Sequence, residues 1–324
     1  MTEPIRIGLL GASKIARGAV IAPAREDGRF VVSAVGARDR DRAATYAAEH
    51  GIPGVAADYA ALVGRDDVDV VYNALPPRGH MAWSIAALEA GKPVLCEKPF
   101  ARNAGEARAM VAAAEKAGLV LLEAFHYRLH NVIRRAEALL AASVLGPLVR
   151  GAAEFNINVP RNPGELRWSA EQGGGGLMDL GCYPVHALRT LLKGEPIVTS
   201  AKAVFEGGVD ADLSAELTFP GGVAARITCS MTTPQISAWL RLEGKRGQLE
   251  IQNFLAPQRG CRFTTTVDGE TVEHPTDGPT TYAAQLDHLY AVLRDGAVPL
   301  IGGADAIGNM TAIDAIYAAA GRPG

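Results

Sequence analysis

The segment GGGGLMDLGCYPVH, residues 173–186, sets Asp179, Tyr183 and His186 at spacings of four and three residues behind a run of four glycines. On a helix these three side chains share one face over two turns. Together they can take up, give back and orient a proton on a substrate hydroxyl. A second chemical position lies in KPVLCEKPFARN, where Glu97 and Lys98 follow a short apolar run and precede Pro99. A lysine at the carboxyl end of a strand is ordinarily a solvated charge. Beside a cofactor it can stabilise a developing alkoxide or lower the pKa of a neighbouring acid. Pro99 biases Lys98 toward extended backbone.

The elements that must hold these groups can be read from the periodicity. Over the first 124 residues short apolar runs alternate with alanine-rich helical stretches, the pattern of a parallel sheet covered by helices. Strands are expected at Ile5 to Leu10, Phe30 to Val35, Val68 to Asn73, Pro93 to Cys96 and Leu119 to Glu123, and helices at Asp41 to His50 and Asn103 to Ala117. Asn103 with Glu106 makes a capping-box-like start, and Gly118 a C-terminal stop. From about residue 148 the period changes to two, as in Ala153, Phe155, Ile157, Val159 and again in Leu213, Ala215, Leu217, Phe219. Pro220-Gly221-Gly222, Gly244 to Gly247 and Asp268-Gly269 are turn signals between antiparallel strands. The fold class is therefore α/β: an N-terminal Rossmann-type doubly wound parallel sheet over residues 1–124, then an α+β domain over 125–324 with an open, mostly antiparallel sheet. A C-terminal helix is expected over about 304–320, packing back on the first domain.

IGLLGASKIARG follows the first strand and opens a helix, so Gly11-Ala12-Ser13-Lys14-Ile15-Ala16 sits where a dinucleotide fingerprint places G-x-G-x-x-G/A, with Ser13 in the second glycine position. A helix N-terminus at such a turn favours a pyrophosphate. At the end of the second strand NAD enzymes carry an acid for the ribose 2′-hydroxyl, whereas this chain has Gly36-Ala37-Arg38. Arg38 suits a 2′-phosphate and hence NADP; the competing reading, NAD, makes Arg38 a solvated surface residue and Asp39 the acid.

Composition excludes several other classes. Among 324 residues, 32 Lys plus Arg against 35 Asp plus Glu give a net charge of -3, and so no basic field for nucleic acid. No apolar run reaches membrane-helix length, and the N-terminal residues lack a signal-peptide pattern, so a cytoplasmic location is expected. The four cysteines, Cys96, Cys182, Cys229 and Cys261, form no CxxC pair. His126 and His130 stand four apart near Glu123, but HExxH order is absent, so no metal is expected and both are assigned to lining a cleft. Tyr282 and Gln285 fall in a helical pattern that fits either an interface or a core.

Gly11 to Ala16, VYNALPPRGH (71–80), CEKPF (96–100), EAFHYR (123–128) and the glycine-rich segment, in that order, resemble the glucose-fructose oxidoreductase, inositol dehydrogenase and rhizopine-catabolism family (Gfo/Idh/MocA), and most closely its dihydrodiol and aldose dehydrogenase-like branch. The similarity spans nearly the whole chain. It implies an NAD(P)-dependent oxidoreductase that moves a hydride between nicotinamide and a carbinol carbon of a sugar, polyol or cyclic diol. By the same resemblance Lys98 lies near substrate and nicotinamide, Asp179 matches the family aspartate, and Tyr183 stands where many inositol-type members have a catalytic histidine. Leu75, Pro76 and His80 would pass the cofactor with Glu97, and Arg167 and Trp168 would reach its nicotinamide side. His186, Tyr127 and Arg128 would face the substrate. Ser13 and Tyr183 depart from the commonest pattern, which leaves the phosphate contacts and the identity of the general acid open. The competing functional reading is a non-catalytic NADP-binding sensor on the same scaffold. An open sheet in the second domain implies a homodimer or homotetramer.

Overall fold

The computed structural model describes residues 3–322. Its first sheet has six parallel strands: β1 (Ile5–Leu10), β2 (Phe30–Gly36), β3 (Gly54–Val55), β4 (Val70–Asn73), β5 (Val94–Cys96) and β6 (Leu121–Glu123). Their order, β3-β2-β1-β4-β5-β6, is that of the doubly wound dinucleotide fold, and it reverses between β1 and β4. The five expected strands are all present with ends moved by up to two residues, and β3, only two residues long, carried no period to reveal it. Asn103 caps the helix Ala104–Ala117 by accepting from the Glu106 amide at 2.9 Å, and Gly118 ends it with φ of 65°.

The second sheet has eight strands: β7 (Leu148–Asn158), β8 (Ile197–Glu206), β9 (Val209–Phe219), β10 (Val223–Ser230), β11 (Thr232–Gly244), β12 (Gly247–Gln252), β13 (Arg262–Val267) and β14 (Glu270–Glu273). They lie in the order β14-β13-β12-β11-β7-β10-β9-β8, antiparallel except for the β7–β10 pair. Each turn signal joins two neighbouring strands. Asp268 and Gly269 both take positive φ (51° and 88°), as a two-residue hairpin with right-twisted strands demands. Leu213, Ala215, Leu217 and Phe219 are all buried, so the period-two face of β9 is a core face.

The chain divides into two compact units. The first runs through Phe125 and takes in Tyr282–Ile307; the second holds His126–Thr281 and the chain from Gly308 on. The helix Thr281–Arg294 thus returns to the first sheet. Leu286 and Leu289 sit in the core formed by β1, β2 and β4, with Tyr282 packed against it. That settles Tyr282 as a core-packing residue. The C-terminal helix Ala304–Ala320 is divided between the units, through Ile307 in the first and from Gly308 in the second. There Tyr317 donates to Asp210 at 2.7 Å and Asn309 donates to the Cys182 carbonyl at 3.4 Å. These anchors are both polar and distant in sequence, and an apolar period cannot show them.

Candidate active site

In the first unit β1 runs into a turn at Gly11, whose φ of 97° favours glycine and where a Cβ would lie 3.1 Å from a Leu75 methyl. Ser13, in the second glycine position, is the N-cap of the helix that starts at Lys14, its hydroxyl 3.4 Å from the Ala16 amide. Its carbonyl accepts from Tyr46 at 2.9 Å, and the Ala12 carbonyl accepts from Arg42 at 2.9 Å. Two side chains of the helix Arg40–Glu49 therefore fix the turn by its carbonyls. Burial pushes the Tyr46 phenol up to about 12, so it stays a donor at neutral pH. Lys14 and Ile15 are exposed in the first turn of their helix, and Leu75 and Pro76 are half-buried past the end of β4. Ala37 is buried with Ala12 and Ala43 beneath the turn.

Beyond β2, Arg38 is exposed. Asp39 caps the helix Arg40–Glu49, accepting from the amides of Asp41 at 2.9 Å and Arg42 at 3.2 Å. Both bonds fall on one carboxylate oxygen, Oδ1. A glycine turn and an exposed cation just past β2 fit a dinucleotide with a 2′-phosphate.

Lys98 is half-buried just past β5, and the Lys98–Pro99 bond is cis. The buried Glu97 carboxylate holds this stretch, accepting from the Tyr72 phenol at 2.5 Å and the Lys98 amide at 3.2 Å. Glu123, also buried, accepts from the Phe100 amide at 2.9 Å. Asn73 at the end of β4 donates to the His80 carbonyl and to Ser84 (3.2 and 3.0 Å). His80, expected to pass the cofactor, lies inside the first unit. Its ring is fully buried, with Nε2 2.7 Å from the Leu75 carbonyl and Nδ1 3.0 Å from the Pro99 carbonyl. Burial holds its pKa below the ordinary histidine value. A neutral ring donates to one of these two carbonyls, and it packs between the segment after β4 and the segment after β5.

In the second unit the glycine run has a packing cause. A Cβ on Gly174 would lie 2.5 and 2.7 Å from the carbonyls of Arg167 and Leu166. Gly175, with φ of 129°, would drive its Cβ into the Asp210 carboxylate and to 2.8 Å from the Tyr317 hydroxyl. Asp210 accepts from the Leu177 amide at 2.6 Å, at the start of a π-helical stretch, Leu177–Gly181, that leads into the helix Cys182–Leu192. Burial raises the Asp210 carboxyl above the usual carboxylate range, while its bonds to Tyr317 and Leu177 oppose that shift. Gly175→Ala combines a strained φ with overlap on this carboxylate and is expected to destabilise the chain by about 2–4 kcal/mol, read from denaturant midpoints at constant m.

Asp179, Tyr183 and His186 do lie on this one helical run, yet their surroundings separate them. Asp179 is partly exposed, 3.7 Å from the Arg167 guanidinium, which also forks onto Glu165 (2.9 and 3.0 Å). Tyr183 is 6% exposed, and its hydroxyl stands 3.4 Å from His126 Nε2. His186 is 1% exposed and bonded through Nδ1 to the Tyr127 hydroxyl at 2.6 Å, with Tyr127 at 0%. His186 and Tyr127, expected to face substrate, are therefore buried and joined to each other. Arg128, also expected to face substrate, forks onto Glu137 at 2.9 and 2.7 Å, fastening its turn to the helix Asn131–Ala141. His130 caps that helix from the Val132 amide at 3.2 Å. Trp168 donates to the Val159 carbonyl at 3.1 Å and lies under Arg161, 3.9 Å from the ring centre. Among the described residues no group of three His, Cys, Asp or Glu side chains is arranged to hold a metal.

Residues 5–125 match the model of an oxidoreductase family with an NAD-binding Rossmann fold, GFO_IDH_MocA, and residues 133–250 match a GFO/IDH/MocA C-terminal domain. The chain belongs to this oxidoreductase family. It is 34% identical to D-xylose 1-dehydrogenase (NADP(+)) 2 of Haloferax volcanii, over 97% of this chain and 96% of that protein. Trans-1,2-dihydrobenzene-1,2-diol dehydrogenase of Sus scrofa is 36% identical over 75% of this chain and 71% of its own. Aldose-aldose oxidoreductase from Caulobacter crescentus, solved with glycerol, superposes with a TM-score of 0.90 at 28% identity, covering 98% and 97% of the two chains. These relatives are enzymes, and the sensor reading has no counterpart among them. The chain is an NAD(P)-dependent oxidoreductase acting on carbinol or carbonyl carbon. Among the described residues no helix is long and apolar enough to cross a membrane.

Proposed function

We propose that this enzyme is an NADP-preferring dehydrogenase or reductase of an aldose, polyol or cyclic diol. The observation that carries the cofactor choice is the exposed Arg38 just past β2, in the place where NAD enzymes carry an acid. Gly11, Ser13, Lys14, Ile15, Ala37, Arg38, Leu75 and Pro76 are the residues we assign to the dinucleotide. When bound, the oxidised nicotinamide supplies a two-electron acceptor for the hydride of the carbinol carbon. Tyr183 takes the hydroxyl proton, and the Lys98 ammonium stabilises the alkoxide that forms. Asp179, 3.7 Å from the Arg167 guanidinium, orients the hydroxyl. The substrate class is supported by the sugars and diols named in the relatives. The test is NADPH formation across a panel of aldoses, polyols and cyclic diols. The absence of turnover with every member, with NADP and with NAD, overturns the reading.

Arg38→Glu places a like charge against a 2′-phosphate and removes a guanidinium fork. It is expected to weaken NADPH binding by about 10- to 100-fold and to leave NADH binding within about threefold, measured by cofactor fluorescence.

Self-association of the second unit is also proposed. One face of its sheet is the core face carrying Ala225 and Ile227 of β10, while the opposite face carries Arg226 and Thr228 with Glu154 of β7 and Trp239 of β11. A homodimer or homotetramer seen in sedimentation supports this, and a monomer at micromolar concentration overturns it.

A further inference from the structure

Two tyrosine-histidine pairs cross between the turn His126–Leu129 and the helix Cys182–Leu192. Tyr127 of the turn bonds His186 of the helix, and His126 of the turn meets Tyr183 of the helix. The rings pack edge to face, with centroids 5.8 Å apart for Tyr127–Tyr183, 5.7 Å for Tyr127–His186 and 6.0 Å for His126–Tyr183. Phe155 of β7 closes the cluster against Tyr183 at 5.8 Å, and Phe254 against Tyr127 at 5.3 Å. The pairs are alike in chemistry and differ in access. Tyr127 and His186 are 0% and 1% exposed, whereas Tyr183 and His126 are 6% and 8% exposed. The inner pair is a structural bolt. The outer pair is the less deeply buried of the two.

We infer that His126 is the positioning and relay partner of Tyr183, its Nε2 receiving the phenol proton when Tyr183 takes up a substrate proton. The inference rests on the proposed dehydrogenase reading. In the oxidative direction the substrate O–H bond breaks as a bond forms to the Tyr183 oxygen. The Tyr183 O–H breaks in turn as an N–H forms on His126 Nε2. The oxidised nicotinamide of the activity itself accepts the hydride pair, and the proton left on His126 is the one the reaction releases. Tyr183 thus never carries a full phenolate, which would be costly at a site so little exposed. Apo hydrogen bonds at such sites are often long and tighten when substrate arrives, which accommodates 3.4 Å.

The relay requires an unprotonated Nε2, so oxidation slows as pH falls through the His126 ionisation. On the helix that faces this turn, Arg189 is forked onto Glu195. Tyr127 and His186 bond each other, Arg128 is forked onto Glu137, and Asp179 lies beside Arg167.

Two measurements on the full-length enzyme test this. The first compares kcat against pH for the wild type, His126→Gln, which keeps an acceptor but cannot titrate, and His126→Phe, which has neither. His126→Gln is expected to lose the acidic limb and to turn over about tenfold more slowly near pH 8, with KM within about twofold. His126→Phe is expected to be slower still. The second follows the His126 ring by NMR titration, where Tyr183→Phe is expected to move its midpoint. An acidic limb in His126→Gln that superposes on the wild type overturns the relay, as does a His126 titration unmoved by Tyr183→Phe. Turnover with an unchanged limb removes the relay alone, whereas a wild-type chain with no carbinol turnover removes the dehydrogenase reading with it.

Discussion

Tyr183→Phe is expected to lower kcat by about 10²- to 10⁴-fold, the usual worth of a positioned general acid or base, while NADPH still binds. The substitution removes one oxygen and keeps the ring, whose contacts with Phe155, Tyr127 and His126 hold it in place. The protein therefore folds, and its thermal midpoint is expected to move little. The cofactor residues assigned above all lie in the other compact unit, so fluorescence of bound NADPH should be unchanged within about twofold if the deficit is in proton transfer. A Tyr183→Phe enzyme that keeps more than a tenth of wild-type kcat removes Tyr183 from the chemistry.

Lys98→Met is expected to cost about 10²- to 10³-fold in kcat, the range found when one preorganised stabiliser of a developing oxyanion is removed. Met keeps most of the aliphatic stem and deletes the ammonium. The backbone at this position is held independently of the side chain, through the Lys98 amide on Glu97 and the Phe100 amide on Glu123. A loss confined to KM would make Lys98 a binding residue only. A rate recovered by Lys98→Arg to within about tenfold would show that charge, rather than a titrating amine, is what the step requires.

Much of the fold could be read from the chain because its signals are local. Asp268-Gly269 needs two residues with positive φ and has them. Asn103 and Gly118 bracket a helix through groups within four residues of its ends. The period of two in Leu213 to Phe219 marks a buried face whichever strands flank it. The chemical residues were legible in type but less so in role. Asp179, Tyr183 and His186 share a helical run as their spacing requires, yet spacing cannot tell which of them the neighbouring turn will bury.

That decision was tertiary. Tyr127 meets His186 across 59 residues and Tyr183 meets His126 across 57, so one histidine became a bolt and the other a neighbour of the phenol. Asp210 lies 33 residues from the Leu177 amide it accepts from and 107 from Tyr317, and its carboxylate explains the glycines at 175 and 176 better than any nearby residue. His80 and Arg128 likewise look available in sequence and are engaged in the fold. What the amino-acid order determined alone were the two kinds of sheet, the dinucleotide turn and the types of group offered for chemistry, since backbone preference and hydrophobic period act over a few residues. What only the folded chain decided was which of those groups keep a face toward the outside, because burial and polar pairing depend on partners brought together from far along the chain.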